Sequence, residues 1–125
     1  MKFTWKNDHM EIDLGYRKLK IAENEEQGFL PIQLFISSIV GCNTYLFDTI
    51  LKKQKINYNY LTVKTEVEKN NDNNTINKIS LNFIIEGENL KKEKLLKNLK
   101  LSRKYCGMAQ SIKDSIKIED TLTIK

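Results

Sequence analysis

GFLPIQLFISSIVGCNTYLF, residues 28 to 47, is the most apolar stretch of the chain and decides how the rest is read. It holds the only proline, Pro31, which suits a first helical position because the N–H it lacks would have no partner there. From Pro31 to about Lys53 the apolar residues recur at helical spacing. Phe35, Ile39, Cys42, Leu46 and Ile50 fall on one stripe, and Ile36, Val40, Phe47 and Leu51 on a neighbouring one. So wide an apolar arc predicts a central helix covered on more than one side. Ser37, Ser38 and Gly41 are small enough to let another element approach it.

Working outward, KFTWK, HMEIDL and RKLKIA alternate apolar and polar residues, which predicts three short strands turning at Asn7-Asp8 and at Gly15. ENEEQG is a solvated connection to the helix. Beyond it, YNYLTVKTEVE and NKISLNFIIEG alternate around the polar loop KNNDNNT and predict a hairpin. Its inward sets are Leu61, Val63 and Val67 on one strand and Ile79, Leu81, Phe83 and Ile85 on the other. Leu95, Leu96 and Leu99 then return at helical spacing with Asn89 as the expected cap, and Gly107 interrupts. Met108, Ile112 and Ile116 mark a second short helix, and KIEDTLTIK closes the chain as a strand. The expected fold class is α+β, a single domain over residues 1–125 with an antiparallel sheet packed on helices.

Hydrophobic residues make up 40% of the chain and charged residues 30%, a balance that suits a globular core and excludes disorder. The N-terminus lacks the apolar core of a secretory signal, and the longest nearly apolar run, LFISSIV, is too short to span a bilayer. A cytoplasmic protein with no membrane partner is expected. The net charge of +5 is nearly all lysine, with Arg17 and Arg103 the only arginines. Arginine is the residue suited to bidentate phosphate and base contacts, so the lysine groups LKKQK and LKKEKLLKNLK read as solvated helix faces and no nucleic acid partner is expected.

Cys42 and Cys106 are the only cysteines and His9 the only histidine. Structural zinc takes four Cys or His ligands, so no metal site is expected. A Cys-His nucleophile pair is weak, because His9 falls on a predicted strand. Pattern alone favours Cys42 as a small buried hydrophobe. Cys106 stands where one helix ends and another begins, so the following N–H groups could favour its thiolate. Two thiols carried on helices could also meet as an attacking and a resolving pair. The residues by themselves leave these readings open.

PIQLFISSIVGC, with Pro31 eleven residues before Cys42, and LSRKYCGMAQSI around Cys106, in this order and before a terminal strand, resemble the OsmC-like family, which includes the organic hydroperoxide resistance proteins. The resemblance implies an OsmC-like fold, with antiparallel sheets packed on a long buried central helix and two chains interlocked as a homodimer. It implies a thiol-dependent peroxidase acting on organic hydroperoxides, part of the antioxidant stress response. Cys42 would attack the peroxide and become a sulfenic acid, and Cys106 would close a disulfide with it. No cofactor is held; an external dithiol of lipoyl type would restore both thiols. Family members carry a glutamate just after the proline that holds an arginine against the reactive sulfur. Here Ile32 and Gln33 stand at those positions, so weaker activation of Cys42 is expected, with Gln33 a possible hydrogen-bond donor. That departure keeps two alternatives in view: a non-catalytic dimeric binder of a lipid-like or other small apolar ligand, and a redox sensor using the same disulfide.

Overall fold

The computed structural model describes residues 1–125 as two compact units, Met1–Ser38 and Ile39–Lys125. Their boundary falls inside the long helix, α1, Pro31–Lys53. The helix has the bounds that the apolar spacing predicts.

In the first unit, β1 (Thr4–Lys6), β2 (His9–Asp13) and β3 (Lys18–Ile21) form an antiparallel sheet in the order β1-β2-β3. The turns lie where the sequence puts them. Asn7 adopts φ 60° and Gly15 φ 94°, left-handed conformations that Asn and Gly tolerate best. Trp5 pairs with Met10, Met10 with Ile21 and Ile12 with Leu19, so one face of the sheet is apolar, and Trp5 on it stays 60% exposed. The chain then runs back along β3, where Phe29 N–H donates to Lys20 O at 2.9 Å and Ala22 N–H to Phe29 O at 3.1 Å. Gly28 is required for that approach, because a Cβ there would lie 2.8 Å from Lys20 O.

The second unit holds the principal core. β4 (Tyr60–Lys69) and β5 (Ile76–Glu86) form the predicted hairpin, with Leu61 opposite Ile85, Val63 opposite Phe83 and Val67 opposite Ile79. Ile79, Leu81, Phe83 and Ile85 are fully buried, and Phe47 of α1 meets Phe83 edge-on with ring centres 5.7 Å apart. α2 (Lys92–Tyr105) and α3 (Gly107–Ile112) follow, and β6 (Lys117–Ile124) completes the sheet in the order β4-β5-β6.

Three sequence expectations are corrected here. The second sheet is mixed, not antiparallel, since β6 runs parallel to β5. The crossover through α2 and α3 brings the chain back to the end of the sheet from which β5 started, as parallel neighbours require. Asn89 does not cap α2. It sits at φ 59° in a turn, and the residue at the cap position before Lys92 is Lys91, whose side chain makes no capping bond. α3 is shorter than the Met108, Ile112 and Ile116 pattern implies. Its buried residue is Ala109, while Met108 is 46% exposed and Ile116 lies beyond the helix.

Against the sequence expectation that no run is long enough to span a bilayer, α1 as a whole has the length and composition to cross one, a test that core helices also pass. Within the single chain it buries only Ile39, Asn43, Phe47 and Leu51, a stripe at four-residue spacing that faces the core.

Candidate functional site: two neighbouring thiols

Both cysteines lie in the second unit and are brought together. Cys42 occupies the middle of α1 and is half-buried, while Cys106 is free and fully buried. The Cys42 side chain lies near enough to Cys106 to perturb its ionisation.

The position of Cys106 comes from the junction that carries it. This residue ends α2 and starts α3, with an extended backbone at φ −77° and ψ 105°. Its N–H donates to Arg103 O at 3.3 Å, and the same carbonyl accepts Gln110 Nε2 from α3 at 3.0 Å. The Arg103 guanidinium is in turn ion-paired with Asp120 on β6, with the two side chains 18% and 17% exposed. One residue thus ties the end of α2 to both α3 and the sheet. Burial holds the Asp120 carboxyl above its ordinary pKa, although its bond and charge contact with Arg103 pull the other way.

Burial likewise pushes the Cys106 thiol up. The Ala109 amide opposes that shift, Cys42 adds to it by hydrogen bond and charge, and the Met108 amide opposes it again. These amides face the sulfur without closing a regular capping bond. The net direction is upward, against the sequence expectation of a favoured Cys106 thiolate: desolvation outweighs the short helix.

The other sequence-selected groups have separate roles. Gln33 caps α1, its side-chain oxygen accepting Leu30 N–H at 2.9 Å and its amide reaching Glu25 at 3.5 Å. These bonds commit Gln33 to the start of α1. Arg17 lies over the ring of Tyr16 at 5.5 Å. His9 Nδ1 is bound to Asp8 at 2.7 Å.

Asn43 is the polar residue that the sequence reading missed. Next to Cys42 in the chain, it is fully buried with neither side-chain oxygen nor nitrogen bonded. Its signal was available: Asn43 occupies the four-residue stripe between Ile39 and Phe47. An apolar cleft of about 370 Å³ begins one helical turn away, between Leu46 and Ile50 of α1 and Leu101 and Tyr105 of α2.

Known proteins give the chain relatives of its fold and family. Solved structures of the same fold include an OsmC-like protein from Mycoplasma pneumoniae, with TM-score 0.85 and 14% identity over 98% of this chain and 94% of that one. An organic hydroperoxide resistance protein from Legionella pneumophila superposes with TM-score 0.75 and 18% identity over 98% of this chain and 93% of that one. The organic hydroperoxide resistance protein OhrB of Bacillus subtilis gives 0.64 and 18% over 99% and 95%. No curated protein matches the sequence. Residues 23–120 match the family described as OsmC-like protein, and the chain belongs to that family.

Proposed function

We propose that the chain is a thiol peroxidase for organic hydroperoxides, working through Cys42 and Cys106. The Cys42 thiolate attacks the terminal peroxide oxygen, the O–O bond breaks, and the departing alkoxide takes a proton to leave as an alcohol. Cys42 is then a sulfenic acid. Cys106 condenses with it, forming the S–S bond and releasing water, and an external dithiol reduces the disulfide while becoming oxidised itself. The observation that carries this reading is the pairing itself. A half-buried thiol that a small oxidant can reach has a fully buried second thiol beside it.

Two further expectations join the proposal. The protein works as a homodimer, supported by an apolar 23-residue helix that buries only four residues in one chain and by the exposed aromatics Trp5 and Tyr45. It works in the cytoplasm, where reducing conditions keep such thiols ready to react. The second reading, a redox sensor on the same disulfide, gains support from Gln33, which is committed to capping α1 and not to activating a thiolate.

Steady-state reduction of cumene hydroperoxide with dihydrolipoamide tests the proposal. Sustained turnover, abolished in Cys42→Ser by on the order of 10³-fold or more, is the expected result. Oxidation of one equivalent without turnover would favour the sensor, and inert thiols would leave neither. Light scattering should give twice the 14.7 kDa chain mass; a monomer would sink the dimer proposal.

A further inference from the structure

The helix bounds reveal where the net charge lies. α2 holds Lys92, Lys94, Lys97, Lys100, Arg103 and Lys104 against one acid, Glu93, while the rest of the chain holds fifteen cations against fifteen acids. The entire net charge of +5 therefore sits on one 14-residue helix. Arg103 alone among these cations is ion-paired, with Asp120.

Lys97, Lys100 and Lys104, spaced by three and four residues, line the middle of the face opposite the buried Leu95, Asn98, Leu99 and Ser102. The flanks are apolar, with Leu96 39% exposed on one side and Leu101 and Tyr105, 41% and 64% exposed, on the other. Each flank borders a cleft. One of about 450 Å³ is lined by Leu96 and Leu99 together with Lys97, Lys100, Glu93 and Asp120, and the 370 Å³ cleft already described lies beside Leu101 and Tyr105.

We infer that this face of α2 docks the protein on an anionic membrane surface. Lysines clustered on one helix face are drawn to the negative surface of anionic lipids, and each adds to the attraction. Leucine and tyrosine beside them suit the boundary between headgroups and acyl chains. The layout runs opposite to a protein interface, which puts apolar residues at its centre, charge at its rim and little lysine anywhere. It also differs from a nucleic acid surface, because the helix's one arginine is held by Asp120. This revises the expectation of no membrane partner, which rested on the lack of a spanning run and not on where the surface charge lies. The inference is independent of the thiol chemistry.

The test is co-sedimentation of the full chain with vesicles of phosphatidylcholine alone, or of equal parts phosphatidylcholine and phosphatidylglycerol, at ~0.05 M and ~0.5 M salt. Binding is expected only to the anionic vesicles and only at low salt. The triple change Lys97→Gln, Lys100→Gln and Lys104→Gln should lower partitioning on the order of 100-fold. The same loss of charge at Lys64, Lys69 and Lys117, on β4 and β6, should lower it far less. Gln is as good a helix former as Lys, and circular dichroism confirms that both variants fold. Equal binding to neutral vesicles, an equal loss in the sheet variant, or retention by duplex DNA but not by vesicles would each overturn the inference.

Discussion

Cys42 and Cys106 are neighbours in space set in opposite surroundings. The first lies in the middle of a regular helix and keeps some access to solvent. The second is sealed at a break between two helices, its backbone fixed by Arg103 and its sulfur faced by the amides of Ala109 and Met108. A peroxide can reach only the first without structural change. The difference supports the proposed roles, in which the accessible sulfur meets the oxidant and the enclosed one closes on the electrophile formed beside it.

The largest effect should come from undoing the junction. Asp120→Ala leaves the half-buried Arg103 guanidinium without its counter-ion, and breaking a fully buried pair in this way costs about 3 to 5 kcal/mol. Urea unfolding should report a loss near the lower end, because both side chains keep a little solvent contact. Disulfide closure should slow in the same variant, while alkylation of Cys42 is unchanged. If closure is unaffected, Arg103 does not position Cys106.

The opposite change is expected beside Cys42. Asn43 is buried with neither polar atom bonded, so Asn43→Leu should stabilise the fold by about 1 to 2 kcal/mol, read as a higher urea midpoint. Destabilisation would show that the amide is satisfied in solution.

A smaller effect follows pH. Burial raises the folded-state pKa of Cys106, so the unfolded chain loses this proton first as pH rises. The stability due to the neutral thiol is complete below the ordinary thiol pKa of about 8.5. It is lost as pH climbs from there through the folded value, by at most ~1.4 kcal/mol per pH unit. Denaturation at several pH values should show the decline, and Cys106→Ala should flatten it. An unchanged slope would mean that other groups carry it.

The parts of the fold legible in the sequence share a simple periodicity. α1 follows from one proline and an unbroken 3.6-residue pattern, and the β4–β5 hairpin from strict alternation around an Asn-rich loop. What was not legible depends on long-range geometry. Nothing local in KIEDTLTIK tells whether that strand joins its neighbour parallel or antiparallel; the crossover settles it. The Arg103–Asp120 tie joins residues seventeen apart on different elements, and no spacing rule marks it. Both candidate site residues were named from the sequence, but their contrast was not, because burial of Cys106 is a property of the packed junction. Gln33 was read as a possible donor to the thiol, whereas the helix start needed it more.

The account stands on the order of events at the two sulfurs. The reduced protein should be treated with one equivalent of cumene hydroperoxide, quenched over time and mapped without reductant. Predicted is a Cys42 to Cys106 disulfide within one chain, preceded by a sulfenic acid that dimedone traps on Cys42 and that persists in Cys106→Ser. Thiols that stay free, disulfides that join only different chains, or a sulfenic acid arising first on Cys106 would contradict it.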